Sequence, residues 1–221
     1  MGISQKINTI LKTIPDHVKM VAVSKTKPKE DIIEAYEGGY RIFGENKPQE
    51  LVQKYSDLPK DIEWHFIGHL QTNKVKYIAP FVHLIHAVDS MKLMKEINKQ
   101  AEKNKRVINC LLQFHIASEE SKFGLTLADA KALLSSEEFL NLHFIQIIGV
   151  MGMATYTVQE DVIRTEFGNL KSIFENLKAD YFKTKEEFTE ISMGMSGDYA
   201  LAIEEGSTMV RLGSCIFGSR F

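Results

Sequence analysis

A chain of 221 residues that is 44% hydrophobic and 25% charged has the composition of a folded globular protein. It is long enough to bury a core without a disulfide or structural metal. The net charge of -2 and the lack of a long basic run argue against nucleic acid as a partner, since duplex binding rests on many phosphate contacts.

The N-terminal segment has no apolar core of the signal-peptide kind, and no stretch is long and apolar enough to span a bilayer. Cys110 and Cys215 stand far apart with no CxxC, which makes no disulfide framework and points to a reducing, cytoplasmic setting.

A short leading helix carries Ile3, Ile7, Ile10 and Leu11 on one side. The first strand is predicted over residues 18–23. Pro28 opens the next helix, Glu30 and Asp31 complement its dipole, and Gly38-Gly39 stop it. "YRIFG" is the second strand, with a helix starting near Pro48, and "EWHFIG" is the third. Thr72 is expected to cap a helix bearing Val75, Ile78 and Ala79. "HLIHAV" is the fourth strand, and Ser90 caps a helix with Leu93, Met94, Ile97 and Ala101 on one face.

"VINCLLQFHI" is the fifth strand, followed by an acidic cap at Thr126 and Asp129 before "AKALL". "LHFIQIIGV" is the sixth. Thr157 and Glu160 predict a capping box before a helix with Ile163, Phe167, Leu170, Phe174 and Leu177 in register. "EFTEISM" is the seventh strand, leading to a short helix near residues 198–205, and "TMVRLG" is the eighth. Eight strands, each feeding a helical segment, predict an α/β fold: one (β/α)8 barrel over residues 1–221, with an extra N-terminal helix. A doubly wound open sheet is the alternative, but no GxGxxG follows the first strand.

In such barrels the chemistry sits past the C-terminal strand ends. The strand ends here offer Ser24, Lys25 and Lys27; Glu45 and Asn46; His69 and Gln71; His115; Met151, Gly152 and Met153; "SMGMSGD"; and Arg211, Gly213 and Ser214. The loops after strands seven and eight commonly build a phosphate site. "SMGMSGD" and "RLGSC" fall there, with glycines for close backbone approach and serines as donors. Each of Gly194, Gly197 and Gly213 taken singly is more often an ordinary turn residue.

Lys25, at the mouth of the first strand, is a candidate for Schiff-base chemistry, and a solvated lysine is the bland reading. Opposite a phosphate cradle it suits pyridoxal phosphate (PLP) or a phosphorylated sugar. Arg211, between Val210 and Leu212, should point inward. It could donate to the ring nitrogen of PLP, or pair with Glu190 or Asp198. His17, His65, His83, His86 and His143 show no metal-ligand spacing and read as structural, so no metal is expected. Met151, Met153, Met193 and Met195 read as apolar packing, and no GxSxG appears.

The segments "VAVSKTKP", "FGENKPQE", "WHFIGHLQTNK", "GVMGMAT" and "ISMGMSGDYALAIEEGSTMVRLGSCIFG" occur in this order over nearly the whole chain. They resemble the pyridoxal phosphate homeostasis proteins. The resemblance implies a barrel like the N-terminal domain of alanine racemase, without a C-terminal β domain, and PLP held as a Schiff base on Lys25. It implies phosphate binding by Ser196, Gly213 and Ser214, and Arg211 facing the pyridine nitrogen. It places Asn46 near the phenolic side, with Met151 and Ser192 also lining the pocket. Lys47-Pro48 and His115 depart from the family's usual residues and leave rim contacts open.

The expected function is PLP storage, delivery or protection without robust catalysis, with PLP-dependent apoenzymes as prospective recipients. An amino-acid racemase is the second reading. It needs acid/base groups on both faces of the substrate carbon, and only Lys25 is in evidence before the chain stops at Phe221. A Schiff-base aldolase on a sugar phosphate is the third, and Arg211 speaks against it. The expected oligomeric state is a monomer.

Overall fold

Eight parallel strands close on themselves in chain order in the computed structural model, which describes residues 1–118 and 123–218. They are β1 (Lys19–Val23), β2 (Ile42–Glu45), β3 (Glu63–Phe66), β4 (Leu84–Val88), β5 (Ile108–Gln113), β6 (Ile145–Met151), β7 (Glu190–Met195) and β8 (Met209–Leu212). β1 pairs with both β2 and β8, which leaves no free edge. The predicted (β/α)8 barrel is the observed one.

The helices are α1 (Ile3–Leu11), α2 (Lys29–Glu37), α3 (Pro48–Asp57), α4 (Val75–Ile78), α5 (Met91–Lys103), α6 (Leu127–Leu134), α7 (Glu137–Leu140), α8 (Glu160–Asp180), α9 (Tyr199–Glu204) and α10 (Ser214–Phe217). No helix among the described residues is long and apolar enough to cross a membrane. Local chemistry explains most boundaries. Ser90 Oγ accepts from Leu93 N–H at the start of α5, and Thr126 with Asp129 forms the expected capping box of α6. Gly39, at φ +94°, lets the chain leave α2 by a left-handed step.

Two caps differ from expectation. Thr72 caps nothing; it begins a 3-10 turn over Thr72–Lys74 that leads into α4. The Thr157–Glu160 box does not form. Thr157 Oγ1 instead accepts from Gln159 N–H two residues on, and Gln159 becomes the cap of α8. The hydroxyl closed a local turn before it could reach the helix, the usual competition for threonine. Two strands also run later than the pattern suggested: Glu45 lies within β2, and Gly194 and Met195 lie within β7.

The core has two compartments. The larger lies between sheet and helices and holds Phe43, Trp64, Phe66, Phe167 and Phe188. α8 faces it with Ile163, Phe167, Leu170, Phe174 and Leu177, as its period requires. The smaller fills the barrel interior with Val21, Leu84, Ala87, Leu111, Met151 and Met209. Residues paired across parallel strands share a face. Arg211 is opposite Val21, Ser192 is opposite Met151 and Met209, and His65 is opposite Leu84. All three therefore point into the barrel, and all are buried.

Candidate functional site

At the carboxyl ends of the strands lies a cavity of about 890 Å³. Lys25 and Lys27 line it from the end of β1, residues 153–158 from the end of β6, residues 195–198 from β7, and Arg211, Gly213 and Ser214 from β8. The structure thus brings together five predicted residues: Lys25, Ser196, Arg211, Gly213 and Ser214. The other three stand elsewhere. Ser192 and Met151 lie in the barrel beneath the cavity, at 0% and 1% exposure. Asn46 is not on the cavity wall; it packs on Gly68, and its Oδ1 is buried without a hydrogen-bond partner among the described residues. His69 stacks on Phe123 at 4.7 Å, away from the cavity wall.

The loops after β7 and β8 are tied by Ser196, whose Oγ accepts from Gly213 N–H at 3.1 Å and from Cys215 Sγ at 3.4 Å. Gly213 lies close to β1, since a side chain there would come within 3.3 Å of the Val23 carbonyl. Gly194 is required on two counts. Its φ is +94°, and a Cβ would come within 2.6 Å of Ala202 Cβ. The Ser196 and Ser214 hydroxyls on these loops can donate to an anionic oxygen, and the Gly213 N–H can join them if it leaves Ser196.

Arg211 forms the floor. Nη1 donates to Ser192 Oγ at 2.7 Å, and Nη2 donates to the Gly152 carbonyl at 3.0 Å. Its guanidinium makes no further hydrogen bond among the described residues. Burial lowers its pKa to about 10, which the Asp198 charge partly opposes. The alternative pairing with Glu190 does not occur, because that carboxylate is taken by Lys19 and Thr208.

Beneath Ser192 the polar chain continues through the barrel. His86 Nδ1 lies 3.0 Å from Ser192 Oγ, and His86 Nε2 lies 3.0 Å from His65 Nδ1. Burial, with His83 and Lys19 adding, lowers His65 to about 3. Burial, with His65 and Arg211 adding, holds His86 well below the usual histidine value. Both rings are therefore neutral at pH 7. Each carries one proton, so the chain has a direction.

The turn that carries Lys25 rests on a network that sequence reasoning missed. Thr26 adopts φ +66°, an uncommon conformation for a β-branched residue. Its N–H donates to Glu50 Oε1 at 2.7 Å. Lys54 Nζ donates to the Ser24 carbonyl, Glu45 Oε1 and Glu50 Oε1 at 2.8, 2.7 and 2.7 Å. Ser24 Oγ donates to the same Glu45 oxygen. Glu45 and Ser24 are fully buried, and burial raises the Glu45 pKa against the pull of Lys54. The sequence signal is only a Glu50/Lys54 pair at helical spacing, which a solvated helix face also shows.

Residues 2–221 match the family described as alanine racemase, N-terminal domain. A pyridoxal phosphate homeostasis protein of Aquifex aeolicus is 40% identical over 203 residues, covering 91% of this chain and 87% of the relative. The chain belongs to the pyridoxal phosphate homeostasis protein family. Among solved structures, PipY of Synechococcus elongatus with PLP bound superposes with a TM-score of 0.87 at 33% identity, covering 98% of this chain and 100% of PipY. Alanine racemase of Bartonella henselae gives a TM-score of 0.71 at 14% identity, covering 98% of this chain but 58% of the racemase. That last likeness concerns the fold alone. The residues here fit the family's cofactor: an amine, an anion cradle and a buried guanidinium with N–H groups to spare share one cavity.

Proposed function

We propose that this chain binds pyridoxal 5'-phosphate in the cavity at the carboxyl ends of the strands and serves PLP homeostasis by storing, delivering or protecting the cofactor. Lys25 is the covalent anchor through a Schiff base. Ser196, Gly213 and Ser214 take the phosphate, and Arg211 donates to the pyridine nitrogen. Ser192 acts from below, by holding Arg211. Met151 forms apolar floor, and Asn46 supports the β2 side. The observation that carries the reading is the shared cavity of Lys25, Arg211 and the loops joined by Ser196. Its volume of about 890 Å³ suits a ligand of this class.

Arg211 also favours holding over turnover. A guanidinium does not give up its proton, so a ring nitrogen facing it stays unprotonated and the ring is a weak electron sink. Transfer to PLP-dependent apoenzymes is the proposed outlet. The test is spectroscopic. Purified protein loaded with PLP should show a visible Schiff-base band that borohydride bleaches, with the reduced adduct mapped to Lys25. Lys25→Ala should lose the band while keeping weak, phosphate-anchored binding. An adduct on another lysine would overturn the site. Rapid racemisation of alanine by contaminant-free protein would overturn the carrier role.

A further inference from the structure

At the other end of the barrel, where β3 and β4 begin, Glu63, His65 and His83 converge. We propose that these three residues form a binding site for a divalent transition metal of the zinc type. One ligand atom from each lies within 4.8 Å of the other two, and His83 Nε2 is 3.7 Å from Glu63 Oε2. Two imidazoles and one carboxylate, with room for water, are a zinc-type donor set. Magnesium and calcium prefer oxygen ligands.

His65 separates this group from a chance surface pair. It is 2% exposed, its Nδ1 is committed to His86, and its Nε2 has no hydrogen bond among the described residues. A ligating histidine is ordinarily fixed in this way, by a bond from its other nitrogen to an outer partner. Glu63 and His83 are about half exposed and free to adjust. The His83 ring now lies parallel to His65 with centroids 5.6 Å apart, so it must turn to present its nitrogen. Lys19, the nearby cation, is neutralised by Glu190.

Occupancy has a consequence within the barrel. A metal on His65 Nε2 requires the ring proton on Nδ1. His65 then donates to His86 Nε2, and His86 Nδ1–H donates to Ser192 Oγ, which also accepts from Arg211. The ion therefore fixes the direction of the chain that ends under Arg211.

The experiment is a calorimetric titration of Zn²⁺ into the full chain, alongside Glu63→Gln, His83→Gln and the double variant. Both positions are on the rim, so thermal melts in EDTA should match wild type. The expected result is one ion per chain. Each single variant should weaken binding by at least the roughly 10–100-fold that losing even an outer-shell partner costs, and the double variant should abolish it. Nitrogen-15 spectra should show His65 as the Nδ1–H tautomer when zinc is bound. No saturable binding, binding that survives in the double variant, or an unmoved His65 spectrum would each overturn the site. None of these readouts depends on PLP.

Discussion

Lys54→Met should strand Glu45 in the protein interior. The amine of Lys54 uses all three protons, on the Ser24 carbonyl, Glu45 and Glu50, and methionine keeps most of the volume while removing them. Glu45 is 0% exposed, and its Oε2 already lacks a hydrogen-bond partner among the described residues. Breaking a buried ion pair from one side costs about 3–5 kcal/mol. An independent limit comes from protonation, because the stranded carboxyl escapes by taking a proton. Holding that proton at pH 7 against an unfolded-state pKa of about 4.3 costs ~3.7 kcal/mol at ~1.36 kcal/mol per unit, a ceiling on the change because burial already raises the wild-type pKa. The two figures agree at about 3–4 kcal/mol, or roughly 6–16 °C in Tm for a chain of this size.

The sign of the pH dependence follows from the raised folded-state pKa of Glu45 in the variant. Stability is fully present below the unfolded pKa and is lost as pH rises toward the folded one. The Glu45 share of the penalty should therefore shrink to about 1 kcal/mol at pH 5. Denaturant unfolding of wild type, Lys54→Met and Lys54→Met/Glu45→Gln at pH 5 and 7 measures this. The double variant should recover most of the loss at pH 7. A penalty under about 1 kcal/mol at pH 7, or one equal at both pH values, refutes the buried-charge argument.

Gly194→Ala places a Cβ 2.6 Å from Ala202 Cβ at φ +94°. It should destabilise by about 2–3 kcal/mol and weaken PLP binding, and a melt unchanged from wild type would contradict the reading of this turn. Glu166 accepts from Ser118 and Thr155 through both backbone and side chain, which outweighs burial and holds its carboxyl below the usual value. Glu166→Gln should cost about 1.5–3 kcal/mol at neutral pH. Because the wild-type pKa is depressed, that advantage should fade as pH drops below the ordinary glutamate range, as parallel melts would show. Cys110 is fully buried, and burial pushes its thiol up, whereas Cys215 is half-buried beside Ser196. A thiol reagent should label one cysteine in the native chain and two after unfolding; two equal native rates would contradict this.

The order of elements and the residues at the two ends of the cavity are legible in the linear chain. Apolar periodicity, the Ser90 and Thr126 caps and the glycines after strands seven and eight act within a few residues, so they are legible in a linear chain. Lys25 and Arg211 could be placed at strand ends by counting. The Thr157 cap failed because two local hydrogen bonds competed and the pattern could not rank them. The contacts that no local pattern reveals lie across the barrel. Closure of β8 on β1 sets Arg211 beside Val21, and Ser192 meets His86 over a separation of 106 residues. Lys54 and Glu50 read like any exposed helical pair until β1 and β2 bury the lysine against Ser24 and Glu45. Spacing along a helix or strand is fixed by local geometry. Burial and long-range pairing are fixed by where the barrel closes, and no local pattern encodes that.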